Sequence, residues 1–322
     1  MAEVYVDEFA HALGDVKTHL RESEAAGRLL SSAADLESAG FAWHHRCEPH
    51  TTAYDLARTA VGQLPEPLLA EGVDAIVYAT CLPRNGNVGD LEKWRTSRDV
   101  MHLMDFPASR LQADFSLDRA VVLGLNQQGC TGMLGALRVA RALLATEPGW
   151  CRVLCVTADR FPDGARYEHS YNLISDSAAA CVVSREPAGF RFVTAHQITN
   201  GGLHGASDDE TLGSYFSYVT LLIRQSLERA GLAASDIAWV VPQNTNQAAW
   251  QIMPRLTGID PDRVWQPSLP DTGHAISADN IINLSALAGS GQLRPGDRVL
   301  LLVAGYGLNW QATILEATEA FQ

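Results

Sequence analysis

Two residues of this sequence have the setting for covalent chemistry. Cys130 follows Gly129 at the end of the polar run NQQG and opens a helix-like run, TGMLGALRVARALLA. His274 follows Gly273 in PDTGH and precedes a second such run, SADNIINLSALAGSGQL. A helix N-terminus exposes unpaired N–H groups and carries about half a positive charge. A thiolate there is stabilised below the free cysteine value of about 8.5. The preceding glycine permits a sharp turn that presents the sulfur and brings backbone N–H groups toward a developing oxyanion. The same field disfavours imidazolium, so His274 is expected neutral and able to accept a proton. A thiolate beside a neutral base suits covalent acyl transfer. Read alone, a Gly-Cys before a helix is packing more often than chemistry; the duplicated junction with its histidine reverses that balance.

The surrounding elements repeat. TTAYDLARTAVGQL is an amphipathic helix, VDAIVYATCL a short apolar strand, AVVLGLN a strand, and GWCRVLCVTADR another. Later, SYVTLLIRQSLERAGL is a helix, SDIAWVVPQ a strand, and DRVLLLVAGYG another, with a linker through Trp265 and Pro270 between the last two. Each half runs helix, strand, gap, then a unit of strand or linker, helix and strand. Arg152 lies 22 residues after Cys130, and Arg298 lies 24 after His274. A repeat of this kind marks a duplicated supersecondary unit. If the copies pack about a pseudo-twofold axis, both junctions face a common centre. The first forty residues are weakly patterned. Between about Pro83 and Leu117 the chain is irregular, with a helix expected around Trp94 to Met104. Trp94, Met101, Met104 and Phe106 there suit either an acyl pocket or plain core.

Bulk properties bound the answer. The chain has 322 residues, 47% of them hydrophobic, and a formal net charge of −13. That charge argues against nucleic acid and anionic membranes as partners. No apolar run reaches the roughly 18 residues of a membrane span, and the acidic MAEVYVDEFAHALGD lacks a signal pattern, so a cytoplasmic location is the expectation. LEKWRTSRDV is a local basic stretch that reads as a solvated helix face. The six cysteines fit neither a disulfide framework nor zinc spacing, and no metal or cofactor is expected. Cys151 and Cys155 read as fillers on one face of a strand, and the cysteines other than Cys130 as packing. His44, His45 and His50 lack spaced partners for a metal, and His204 is a loop residue that suits a pocket wall.

At Cys130 and His274 the sequence resembles the thiolase superfamily, in its β-ketoacyl-ACP synthase III branch, from about Thr51 to the C-terminus. LGLNQQGCTGMLGAL is similar to that family's nucleophile segment, SDSAAACVV to its Gly-Asp-Gly-Ala turn, and GHAISADNIINLSALAGSGQLRPGDRVLLLVAGYGLNW to its C-terminal segment. The resemblance implies an α/β fold of duplicated βαβαβαβ halves in five α-β-α-β-α layers. The halves are 1–185, carrying the nucleophile, and 186–322, carrying the histidine. It also implies a homodimer, with acyl-CoA or an acyl carrier protein thioester as substrate rather than a bound cofactor, and a small-molecule acceptor. An acidic carrier would need the local arginines to dock.

The departures bear on mechanism. The synthase III pattern has a histidine in Pro-His-Gln-x-Asn and an asparagine after a later glycine. This sequence has Pro242-Gln243-Asn244-Thr245-Asn246 and His274, so amide and imidazole have exchanged places. That order resembles the thiolases proper, whose second cysteine is replaced by Gly305-Tyr306-Gly307. Gln243 or Asn244 is left to supply an amide donor. The oxyanion hole falls to the N–H of Cys130 and one from Gly305 or Gly307. Asp279, five residues after His274, would lie about 140° around a regular helix and point largely away; it and Asn309 are the candidates to orient the imidazole. Formation of an acyl-Cys130 intermediate is expected, with transfer to a hydroxyl, amine or carbon nucleophile in specialised metabolism. The alternatives are a decarboxylative condensing enzyme using a malonyl thioester and a non-catalytic partner subunit. Such subunits normally lose the nucleophile, which this chain keeps.

Overall fold

Alternation along each strand sorts its side chains between two cores. In Ala75–Ala79, Ala75, Val77 and Ala79 join a central core, while Ile76 and Tyr78 join an outer one. In Arg152–Asp159, Val153 and Cys155 point to the centre and Leu154, Val156 and Ala158 outward. In Arg298–Gly305, Val299, Leu301 and Val303 share the same centre, while Leu300 and Leu302 enter a third core. Strands buried on both faces read as continuous apolar runs, which is why these were legible.

The computed structural model describes residues 3–169, 172–203, 205, 206, 208–305 and 308–321. Nine strands hydrogen-bond in the order Ile237–Pro242, Arg298–Gly305, Asn309–Ala317, Phe190–Thr199, Tyr5–Leu13, Ser177–Ser184, Arg152–Asp159, Ala75–Ala79, Val121–Leu125. The order is mirrored about the join of Tyr5–Leu13 with Phe190–Thr199, where Tyr5 pairs Arg191 and Val6 pairs Phe190. Outward from that join each side has two antiparallel pairings and then parallel ones, two on the Tyr5–Leu13 side and one on the Phe190–Thr199 side. The two sheets of the expected fold are therefore continuous at one narrow seam. Helices Gly132–Thr146 and Asp279–Ala288 fill the central core between the sheet halves. Ala53–Gly62 and Pro107–Asp114 cover one outer face, and Asp208–Ala230 with Gln247–Thr257 the other. This is the five-layered thiolase fold.

Local chemistry sets several element ends. Thr52 caps Ala53–Gly62, accepting from the Asp55 N–H at 3.2 Å while Asp55 accepts from the Thr52 N–H at 2.8 Å. Three elements differ from expectation. Tyr5–Leu13 is a central strand, hidden in the sequence because its register shifts between Asp7 and Ala10, with Glu8 at φ +56°. Gln247–Thr257 is a helix, buried through Trp250 and Met253, inside what reads as linker. The helix expected over Trp94 to Met104 is two pieces, Leu91–Ser97 and a 3₁₀ turn Val100–Leu103, broken by Arg98 in the left-handed region. Cys151 precedes its strand and is exposed, so only Cys155 is a core filler. Among the described residues no helix is long and apolar enough to cross a membrane.

Candidate active site

Both junctions are built alike. After the strand Val121–Leu125, Gln127 and Gly129 take φ of +63° and +54°, a 3₁₀ turn Gly129–Thr131 follows, and the helix Gly132–Thr146 begins. In the second copy Gly273 takes φ +65°, then come His274, a 3₁₀ turn Ile276–Ala278 and the helix Asp279–Ala288. A Cβ on Gly273 would lie 2.7 Å from the Leu173 carbonyl oxygen, so only glycine fits. The Ser277 hydroxyl donates to the Gly129 carbonyl at 3.2 Å and ties the two junctions together. Across that tie, Cys130 Sγ lies 3.4 Å from His274 Nε2.

The carboxylate of Asp279 orients the imidazole: its Oδ2 lies 2.5 Å from His274 Nδ1. This corrects the regular-helix expectation. The helix starts at Asp279 itself, and the chain before it turns through Ile276 at φ +55°, which folds His274 back over the helix N-terminus. The carboxylate also accepts from the N–H groups of Ala275, at 2.6 Å, and Asn244, at 2.8 Å. A second correction concerns charge. Burial pulls the His274 pKa down, but the charge of Asp279 and then that of Cys130 outweigh it and push the value up to about 10. The raised value favours imidazolium at His274 rather than the neutral base expected from the helix-end field. The field of a helix end is worth about 0.3–1 kcal/mol, too little against a contacting carboxylate in a site of low dielectric.

The asparagines hold the frame. Both hydrogens of the Asn244 amide are engaged: Nδ2 donates to Ser268 Oγ and to the Gly273 carbonyl, both at 2.8 Å, and Oδ1 accepts from Asn283 Nδ2 at 2.8 Å. It fixes the histidine loop and has no donor left for substrate. Gln243 Oε1 accepts from the Ala304 N–H at 2.5 Å. Asn309 serves the other junction and not His274: Nδ2 donates to the Gln127 carbonyl at 3.2 Å, and Oδ1 accepts from Thr199 and Gln197. Gly305 lies against the nucleophile turn, where a Cβ would be 2.7 Å from the Gln128 carbonyl oxygen and 2.9 Å from the Cys130 nitrogen. Gly307 and His204 lie outside the described residues. Replacing Gly305 by alanine is expected to push the Cys130 backbone aside. Acyl loading should fall about 10- to 100-fold with the circular dichroism spectrum unchanged, as stopped-flow thiol release will show.

The Ser175-Asp176-Ser177 turn braces the histidine loop from outside. Ser175 Oγ donates to the Thr272 carbonyl and Ser177 Oγ to the Ala275 carbonyl, the latter at 2.8 Å. Buried Asp176 accepts from the N–H groups of Cys47 and Phe161 and from the Tyr167 hydroxyl, at 2.7–2.9 Å. Sequence reasoning missed the roles of Gln197, Thr199, Ser268 and Asn283, whose partners are remote in the chain. Met101, Met104 and Phe106 line neither an enclosed pocket nor the core: they are 57%, 42% and 49% exposed. In the basic stretch Arg95 pairs with Glu92 and Lys93 with Asp90, as on a solvated helix face. Among the described residues no group of three or more His, Cys, Asp or Glu is placed to hold a metal ion.

The description 3-oxoacyl-(acyl-carrier-protein) synthase III matches residues 126–201, and its C-terminal counterpart matches 227–317. The two matches carry both junctions and together span just over half of the chain. The chain belongs to the 3-oxoacyl-(acyl-carrier-protein) synthase III family. It is 26% identical to the β-ketoacyl-(acyl-carrier-protein) synthase III of Chlamydia caviae over 286 residues, covering 75% of this chain and 83% of the relative. With that of Roseobacter denitrificans the identity is 27% over 299 residues, covering 84% and 86%. Solved structures share the fold. The acyltransferase ChlB3 superposes with a TM-score of 0.81 at 20% identity, covering 99% of both chains. The synthase III of Pseudomonas aeruginosa PAO1 gives 0.80 at 21% identity, covering 98% of this chain and 99% of its own. Acyl-thioester chemistry is thus the family's ground, shared by condensing and acyl-transferring members.

Proposed function

We propose that this synthase III homologue is an acyltransferase. An acyl group from an acyl-CoA or acyl-carrier-protein thioester is loaded on Cys130 and passed to a hydroxyl, amine or carbon nucleophile of a small molecule, in specialised metabolism. What supports this reading is one Asp279–His274 pair facing one sulfur, with Gln243 where the family pattern has its histidine and His274 where it has its asparagine.

The cycle is as follows. The Cys130 thiolate attacks the thioester carbonyl, and the oxyanion forms against the Cys130 N–H beside Gly305. Collapse expels the carrier thiolate, which takes the proton of the His274 imidazolium and leaves as thiol. The acyl-cysteine has lost the sulfur's negative charge, one of the two charges that hold the proton on His274. The imidazole, still fixed by Asp279, is then neutral and takes the proton of the incoming acceptor. Collapse of the second oxyanion releases the ester or amide and restores the thiolate–imidazolium pair. Decarboxylative condensation instead calls for two donors on the malonyl carbonyl, a histidine and an asparagine in the family pattern, whereas here His274 would have to serve both as donor and as base.

Intact-protein mass spectrometry against a panel of acyl-CoA and acyl-carrier-protein donors tests the loading step. Acceptor trials then separate the outcomes. Acyl-Cys130 discharged by alcohols or amines supports the proposal. Carbon dioxide release from malonyl thioester, with no discharge by those acceptors, makes the chain a condensing enzyme. No adduct with any donor makes it a partner subunit.

The same proposal includes a homodimer. Val121–Leu125 is an edge strand with Val121 49% exposed, and Val100, Met101, Leu103, Met104 and Phe106 form apolar surface on the chain just before it. An open apolar edge is covered in stable proteins, and a second copy would cover it by extending the sheet. Light scattering should give twice the chain mass of 34.8 kDa. The Val121→Lys, Met101→Lys double variant should give the single mass.

A further inference from the structure

The proposed cycle leaves one group beside the nucleophile without a task. Cys81 follows the strand Ala75–Ala79, the immediate neighbour of the strand that leads to Cys130. The Thr80 N–H donates to the Leu125 carbonyl at 3.3 Å. Ala79 packs on the start of the nucleophile helix, where a Cβ on Gly132 would lie 3.2 Å from its own. From this position the Cys81 side chain is near enough to Cys130 for the two sulfurs to interact. Its backbone is pinned: the buried Asp159 carboxylate accepts the Cys81 N–H on both oxygens at 3.0 Å, the Leu82 N–H at 3.0 Å and the Thr80 hydroxyl at 2.6 Å. The interaction with Cys130 and burial raise the Cys81 pKa, and the charges of Cys130 and Asp159 add to them. The Cys130 sulfur therefore has the His274 imidazole in contact and a second thiol nearby.

We infer that Cys81 is a resolving thiol, and that it closes a reversible disulfide with Cys130 when a peroxide oxidises the nucleophile. The inference rests on the reading of Cys130 as a reactive thiolate. In the first step the thiolate displaces hydroxide from hydrogen peroxide and becomes a sulfenic acid, and His274 protonates the departing hydroxide to water. In the second, the neutral sulfenic acid no longer carries the Cys130 charge that raised the Cys81 pKa; Cys81 gives up its proton as its sulfur attacks the sulfenic sulfur, the S–S bond forms, and that proton leaves with the hydroxyl as a second water. Two thiols and one peroxide give one disulfide and two waters. Two side chains of one chain so placed close the bond intramolecularly, which outruns further oxidation of the sulfenic acid to the irreversible sulfinate.

The test uses the full chain and hydrogen peroxide, without acyl donor, followed by thiol blocking, intact mass and peptide mapping. The wild type should lose about 2 Da and yield a peptide joining Cys81 to Cys130. Acyl loading should vanish and return with dithiothreitol. Cys81→Ser should instead gain about 32 Da at Cys130, with no recovery by dithiothreitol. The proposal is overturned if both proteins go alike to sulfinate, or if the mass loss maps to another pair such as Cys155 and Cys181. Acyl loading of untreated protein is scored separately. A chain that loads but never cross-links sinks only this inference. A chain that cross-links but never loads sinks only the acyltransferase reading.

Discussion

Cys130→Ala should show no acyl adduct with any donor and a turnover lower by on the order of 10⁴-fold or more. The substitution removes the single atom that carries the acyl group and leaves the rest of the site standing. The Gly129–Thr131 turn is held by backbone and by Thr131, Ser277 and Asn309 contacts, none of which uses the sulfur. The cysteine is only partly buried, so the melting temperature should move by no more than a few degrees. Pre-steady-state thiol release read together with intact mass decides the matter. Adduct formed at another residue, or turnover within tenfold of the wild type, would end the covalent mechanism.

Asp279→Asn should lower acyl loading by about 10²–10⁴-fold, the range seen when a histidine loses its orienting carboxylate, and change how Cys130 responds to pH. The sign follows from the causes at His274. In the wild type the carboxylate and the thiolate hold the imidazolium up to about pH 10 against burial. Without the carboxylate charge, burial dominates and the histidine pKa falls. The proton then shifts from His274 toward the sulfur, and the thiolate fraction at neutral pH drops. Alkylation of Cys130 by iodoacetamide should therefore be fast and flat around pH 7 in the wild type, and require higher pH in the variant. Asparagine keeps an oxygen for the Ala275 or Asn244 N–H, so a merely structural role would lower activity but leave the alkylation profile in place. An unchanged profile would deny Asp279 its electrostatic part.

The encounter of Cys130 with His274 was legible because duplication writes the same junction twice, and copies related by a pseudo-twofold axis meet at their equivalent points. The histidine's partner was not. Its direction depends on the positive φ of Ile276 and on where the helix begins, and neither shows in residue types. By residue type Asn244 reads as an amide donor and Asn309 as a candidate to orient the imidazole, yet each holds backbone. Their partners lie up to 182 residues away, beyond the reach of any pattern. Met101, Met104 and Phe106 misled for another reason: an apolar residue on an open edge has the composition of one in a core, and only exposure tells them apart. Cys81 was read as packing because nothing in its neighbours announces a second thiol at the nucleophile.

What the sequence determined by itself is what short-range physics controls. Continuous apolar strands, two glycine-led helix starts and their near-equal spacing specified the layered α/β fold and the meeting of Cys130 with His274. The tertiary structure alone decided the protonation of that base, the use of each amide, the exposed edge and the neighbour of the sulfur. These depend on which charges and donors are brought within a few ångströms by separate elements. Electrostatics and hydrogen bonding fall steeply with distance, and sequence separation is no measure of distance once the chain is folded.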